Sequence, residues 1–433
     1  MRDAMGTLVR IDKGAATRAL ALAATIALAC HSASGTASES RDDEGYTSMP
    51  VAPLLPDIKP DLGFNAKNLG KNLDNGESEA MPPYGAITLL GRTVSPGTTA
   101  RLTWEPQDTF ESIAAPTPVL VMNGTKAGPT LCLTGAVHGD EINGIEMIRR
   151  VFFELEPEKM SGVLVGVPIV NQLGFRRSSR YLPDRRDLNR YFPGHPKGSS
   201  ASRIAYAFFN DVVRNCDALV DIHTGSFHRT NIPQLRADMN DTRVIQLVHG
   251  FGGMVVLHSD GAEGTLRRAA VEAGIPSVTI EAGEPMRIQE DVVEDGVERI
   301  RALMTNLGLY RRPLLWSSDK PVYLNSRWVR SEQGGLLISD IAIGEKVRTG
   351  ELLGKVVNPI TNMEHPVKSP YDGQVIGMAL NQVVMPGYAA YHIGIEATEE
   401  TLEKPELETL GVENTEDRQA SITVLSDMES DGE

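Results

Sequence analysis

A chain of 433 residues can bury a sizeable core and hold two or three domains. Its 41% hydrophobic and 23% charged residues are those of an ordinary folded protein. A formal net charge of −15 predicts an acidic surface and excludes a broad nucleic-acid footprint, which needs clustered Lys and Arg.

In chain order, Arg2, Arg10, Lys13 and Arg18 precede the apolar run "ALALAATIALA", which ends at Ala29. These are the charged and hydrophobic regions of a secretory signal over residues 1–29, and the run is too short to span a membrane. Two readings of its end stay open. Ala27-Leu28-Ala29 is an A-x-A cleavage site; followed by Cys30 it also resembles a bacterial lipobox, with Leu28 where a small residue is usual. The expected location is therefore exported, either periplasmic or as a lipoprotein, with membrane contact only through a lipid anchor at Cys30. Residues 30–80 are rich in Ser, Gly, Asn, Asp and Pro and read as a flexible tether. Within 81–116, "AITLLGRTVSPGTTARLTW" predicts two strands split by Pro96-Gly97.

From 117 to 318 the pattern changes. "PVLVMNG", "TLCLTGAV", "VLVGVPIVN", "ALVDIHTG", "MVVLH" and "SVTIEAG" are short apolar runs of the kind found in strands covered on both faces. Helical patterns alternate with them in "NGIEMIRRVFFEL", "SRIAYAFFNDVVRNC", "TLRRAAVEAG" and about 288–307. The alternation predicts an α/β domain with a mixed, mainly parallel sheet flanked by helices, whose sites gather beyond the carboxyl ends of its strands. From 319 to 396 helical patterns stop, and short runs between Gly and Pro turns predict a small all-β module, a sandwich or barrel. Residues 397–433 form an acidic tail expected to be disordered. Cys132 and Cys216 both sit in apolar runs; a multi-bridge framework is not indicated, and a single bridge is left open.

Candidate chemistry sits at the ends of the apolar runs. His138 follows "LCLTGAV" and Glu141 comes three residues later, offering an imidazole nitrogen and a carboxylate oxygen from one loop, both good zinc ligands. H-x-x-E alone is a weak signal, and a catalytic zinc needs a third ligand. His223 in "ALVDIHTG" ends another such run, and His258 in "VVLHSD" competes with it. "RRSSRYLPDRRDLNRYFPG" brings Arg176, Arg177, Arg180, Arg185, Arg186 and Arg190 together in an acidic chain. Guanidinium groups beside a metal suit carboxylate binding and stabilisation of an oxyanion, with Asn189 adding a neutral amide. Glu281 in "SVTIEAGEP" is placed, in preference to Glu284, to move a proton to and from a reacting water.

Taken together, "GAVHGDEINGIE", "DLNRYFPG", "DIHTG" and "TIEAGEP" resemble the succinylglutamate desuccinylase/aspartoacylase family, within the zinc carboxypeptidase superfamily. The resemblance implies a zinc carboxypeptidase-like fold and one Zn2+ held by His138, Glu141 and His223. It implies that Asp187 orients His138. Asn189 and Arg190 would hold a substrate carboxylate, and Arg180 would polarise the scissile carbonyl, with Arg176 or Arg177 as alternatives because the spacing varies. Glu281 would be the general acid/base. The implied reaction is amide hydrolysis of an N-acyl amino acid or small peptide carrying a carboxylate. An exported metallocarboxypeptidase acting on peptides such as cell-wall peptides is the near alternative, and an inactive metal-dependent binding protein the distant one. The β module also resembles biotinyl/lipoyl-type hybrids, but the hairpin tip Asn362-Met363-Glu364 lacks the carrier lysine, so no covalent cofactor is expected there.

Overall fold

A computed structural model of the chain describes residues 85–106, 116–226, 228–311 and 321–395. The expected signal segment 1–29, the tether 30–80 with Cys30, and the tail 397–433 lie outside the described residues. The first predicted run is itself a hairpin. β1 (Ile87–Leu89) and β2 (Arg92–Val94) pair around Leu90 and Gly91, both at positive φ (50° and 68°), and β3 (Thr98–Trp104) follows Pro96-Gly97. Two successive positive φ values give the turn whose twist matches that of paired strands.

The central sheet is built from β4 (Thr117–Asn123), β5 (Lys126–Gly135), β6 (Ser161–Val167), β7 (Ala218–His223), β8 (Arg229–Ala237), β9 (Val255–His258) and β10 (Ser277–Gly283). Its middle, in the order β6-β5-β7-β10, is parallel, while β3, β4 and β8 pair antiparallel at its flanks. Parallel strands need helical crossovers, and these cover both faces. α1 (Asn143–Phe153), α4 (Thr242–His249) and α6 (Glu290–Asn306) lie on one face. There Met147, Ile148, Val151 and Phe152 join Leu131, Leu133, Val220 and Ile222. α3 (Ser200–Asp211) and α5 (Leu266–Glu272) lie on the other, where Phe208, Phe209 and Ala269 join Cys132, Val165 and Leu219. A short α2 (Gln172–Phe175) sits in the loop after β6. The split of Leu131 and Leu133 from Cys132 follows the two-residue period of a strand.

β8 is not evident in the sequence. "RTNIPQLRA" is mostly polar and contains Pro233, which argues against a central strand. The structure resolves this with a bulge. The pairing with β10 shifts register between Gly283↔Asn231 and Glu281↔Gln234, so Ile232 and Pro233 sit in the irregularity, away from the regular ladder. β8 then joins the two parts of the molecule. Its first residues pair with the later strand Gly373–Ala379 (Gly377↔Asn231, Ala379↔Arg229) and its last with β9 (Gln234↔Val255, Ala237↔His258).

The C-terminal strands are β11 (Val322–Tyr323), β12 (Asn325–Arg330), β13 (Gly335–Ser339), β14 (Lys346–Val347), β15 (Leu352–Val357), β16 (Glu364–Lys368), β17 (Gly373–Ala379), β18 (Val383–Val384) and β19 (Ala389–Ile395). β13, β15, β16 and β18 form a separate four-stranded sheet. β12, β19 and β17 continue the central sheet through β8, in the order β12-β19-β17-β8-β10-β7-β5-β6-β4-β3. The all-β module is thus stitched edge to edge onto the α/β sheet.

Cys132 of β5 and Cys216, just before β7, form a disulfide across 84 residues of chain. Closing so long a loop restricts the unfolded state strongly. Replacing both by alanine is expected to lower stability by about 2–4 kcal/mol, read as a lower urea midpoint. An unchanged midpoint would mean that the bridge adds nothing to the packed core.

Candidate metal centre and active site

β5, β7 and β10 run parallel as neighbours, so their carboxyl ends open on one edge of the sheet. His138 follows β5, His223 ends β7, and Glu281 of β10 is the register partner of His223. The chain leaves β5 through Ala136 at φ 45°, and Glu141 donates its N–H to the His138 carbonyl (3.2 Å). Gly139 passes so close to the next loop that a Cβ there would lie 2.1 Å from the Gly174 carbonyl carbon and the Phe175 nitrogen. Only glycine fits. α1 is then pinned to the end of β10. The Asn143 Nδ2 donates to the Ala282 carbonyl (3.1 Å), and its Oδ1 accepts from the Gln289 N–H (3.0 Å).

Three donor atoms converge at this edge, and all three residues are buried. His138 Nδ1 lies 3.1 Å from His223 Nδ1 and 2.9 Å from Glu141 Oε1, and His223 Nδ1 lies 2.8 Å from Glu141 Oε2. The edges of a tetrahedral shell with zinc–nitrogen bonds of about 2.0–2.1 Å are about 3.3 Å, close to these separations. The outer nitrogen of each imidazole is held by an acid. His138 Nε2 donates to Asp187 (3.0 Å) and His223 Nε2 to Asp221 (2.7 Å), which turns both Nδ1 atoms inward. Asp221 is fixed in turn by the Thr134 hydroxyl (2.7 Å), and Glu141 accepts from the Thr224 N–H (3.1 Å).

The electrostatics favour a cation at this point. Burial disfavours charge on His223, yet Asp221 and Glu141 raise its pKa well above the ordinary value. Burial and Arg180 oppose charge on His138, but Glu141 and Asp187 reverse the sign and raise it. Burial works against ionisation of Glu141, and the two imidazoles still hold its carboxyl far below the usual range. Asp187 is likewise held low, by His138 and Arg180 against burial. The residues present fit a divalent ion: two imidazoles and a carboxylate, each anchored behind, with acids in excess.

Arg180 reaches this centre. Its Nε and Nη2 grip Asp187 (3.2 and 2.9 Å), and its Nη1 lies 3.2 Å from Glu141 Oε1 and 3.1 Å from His138 Nδ1. Arg176 and Arg177 are exposed. Arg185 is exposed, and Arg186 pairs with Asp184. Asn189 is buried, and its Oδ1 accepts the Leu266 N–H (2.8 Å), tying the start of α5 to the loop. Arg190 beside it is exposed. His258 ends β9 but stands outside the cluster; its Nδ1 accepts the Met239 N–H (3.2 Å).

Glu281 accepts from Asn231 Nδ2 (3.0 Å) at one oxygen and faces Arg236 Nε (3.5 Å) at the other. Glu284 is engaged with Arg287 (3.0 Å). Asp221, Thr134, Asn231 and Arg236 are participants that sequence reasoning missed. For Asp221 the signal was present: two residues before His223 on a strand, it shares that side chain's face. The others come from strand pairing, which no local pattern announces.

Comparisons with known proteins agree with this fold. Residues 127–307 match the succinylglutamate desuccinylase/aspartoacylase catalytic domain. The chain is 28% identical over 256 residues to an N-alpha-acetyl-L-2,4-diaminobutyric acid deacetylase from Halomonas elongata, covering 56% of this chain and 74% of that protein. Its fold superposes on the product-bound ectoine utilization protein EutE (DoeB) of Ruegeria pomeroyi with a TM-score of 0.64 and 25% identity, covering 72% of this chain and 99% of that one. A succinylglutamate desuccinylase from a Silicibacter species gives 0.63 and 26% identity, covering 73% and 99%. Residues 127–307 are thus a domain of the succinylglutamate desuccinylase/aspartoacylase catalytic type.

Proposed function

We propose that the protein is a metal-dependent amidohydrolase that removes the acyl group from a small N-acyl amino acid. One observation carries this reading: the convergence of His138, Glu141 and His223, with Glu281 the register partner of His223 on the neighbouring parallel strand. The named deacetylase and desuccinylase relatives support the substrate class. Zinc suits the donor set. When bound, the ion supplies Lewis acidity to water and to the scissile carbonyl.

The remaining roles fall to the protein. Asp187 and Asp221 keep the imidazole Nε2 positions protonated and the Nδ1 lone pairs inward. Glu281 takes a proton from the attacking water and delivers it to the departing nitrogen. Arg180, anchored on Asp187, donates to the carbonyl oxygen as charge grows there. Asn189 and Arg190 bind the substrate carboxylate. Glu281 speaks for catalysis over mere binding, since a binding protein needs no proton carrier.

We also infer that the protein acts outside the cytoplasm, as a lipoprotein anchored at Cys30 or as a free periplasmic enzyme. The Cys132–Cys216 bridge supports an oxidising compartment. Labelled fatty acid incorporated by the wild type but not by Cys30→Ser would favour the anchor; labelling of neither would favour simple cleavage.

The test of activity is a panel of N-acetyl, N-succinyl and N-formyl amino acids, dipeptides and cell-wall peptides, with enzyme stripped by chelator and reloaded with zinc. Activity is expected to vanish on stripping and to return on reloading. Turnover of peptides alone would shift the reading to a carboxypeptidase. Glu281→Gln is expected to lower kcat by about 10²–10⁴-fold with the metal retained. Asp221→Ala is expected to weaken zinc affinity about 10–100-fold in a competitive chelator titration. Full affinity in that variant would show that Asp221 does not support the ligand.

A further inference from the structure

We infer that Asn231, seated on Gly377 of the C-terminal strands, is the positioning residue that aims the Glu281 carboxylate; this rests on the reading of Glu281 as the proton carrier. The side chains meet in one row across the sheet. Asn231 of β8 lies opposite Gly283 of β10 on one side and Gly377 of β17 on the other, and Gly377 lies opposite His392 of β19. Asn231 is buried and donates through Nδ2 to Glu281 Oε2 (3.0 Å). An ionised carboxylate only accepts, so the amide nitrogen must face Glu281 and the amide oxygen must face away.

Gly377 provides the room for that orientation. It does not adopt a positive φ, so its backbone does not require glycine. Its surroundings do. A Cβ at 377 would lie 2.5 Å from Asn231 Oδ1 and 3.4 Å from His392 Cβ. The His392 ring is buried and stacked on Trp328, with centroids 4.5 Å apart and planes 8° apart, so it offers little way to yield. Burial, with Arg236 and Arg229, lowers the His392 pKa to about 3, so this wall is a neutral imidazole. A side chain at 377 would therefore press on the amide oxygen and turn Nδ2 away from Glu281.

The consequence is kinetic. Glu281 must address the attacking water and then the leaving nitrogen, and an error of about 1 Å in such a group costs up to about 10²-fold in rate. Gly377 lies outside the family-matched residues 127–307, so strands beyond that domain help to aim its catalytic carboxylate.

The test is a double-mutant cycle on zinc-loaded full-length protein, with N-alpha-acetyl-L-2,4-diaminobutyrate as the first probe substrate and the best substrate of the panel as the second. N231A and G377A are each expected to lower kcat about tenfold, with KM within about twofold. G377A added to N231A should cost nothing more, because the shortened side chain at 231 has no oxygen for the new Cβ to meet. Crystal structures of wild type and N231A should show the Glu281 carboxylate turned in the variant. N231A with wild-type kcat, equal losses from G377A on both backgrounds, or an unmoved Glu281 in the N231A crystal would each overturn the inference. A rise in KM with kcat intact would make Asn231 a substrate contact instead. If G377A does not fold, N231A and its crystal structure decide alone. E281Q separates the two readings: activity retained in E281Q removes the proton-carrier role itself, whereas E281Q inactive beside a wild-type-like N231A removes only the positioning role.

Discussion

Everything at the centre depends on the two hydrogen bonds that tie the outer nitrogens of His138 and His223 to Asp187 and Asp221. An imidazole can rotate about its ring bond; tied at Nε2, it presents Nδ1 in one direction. Two such rings bring like lone pairs to 3.1 Å. That contact is unfavourable between neutral rings and favourable around a cation. Glu141 completes the same point from below, fixed by the Thr224 N–H. Buried acids carry a large desolvation penalty and are tolerated where positive charge meets them. The chain supplies part of that charge through Arg180, and the donor geometry accommodates more.

The fold makes this possible by placing separate strand ends side by side. Parallel pairing of β5, β7 and β10 sets residues 138, 223 and 281 along one edge of the sheet, although long stretches of chain separate them. Gly139 and the Asn143 clamp then fix the loop that carries two of the donors. The covalent link between Cys132 and Cys216 ties β5 to the segment just before β7.

Much of this was legible. The apolar runs became β4, β5, β6, β7, β9 and β10, because strands buried on both faces have no choice but to be apolar. His138, Glu141 and His223 stood out as polar residues closing such runs, and the structure brings them together. His258 closed a run too, and nothing in its local sequence separates it from His223; only the strand order puts β9 on the far side of β8. β8 escaped notice because Asn231, Gln234 and Arg236 face a polar site and Pro233 fills a bulge, so the strand lacks the pattern expected of one. The partners of Glu281 escaped with it.

The lateral edge of that same strand is shared: Arg229–Asn231 bond to β17, and Gln234–Ala237 bond to β9. A fragment cut to residues 127–307 would leave the first of these stretches as a bare row of amide donors and acceptors beside Asn231 and Glu281, open to any other extended chain. The appended β strands therefore act as a built-in edge guard for β8.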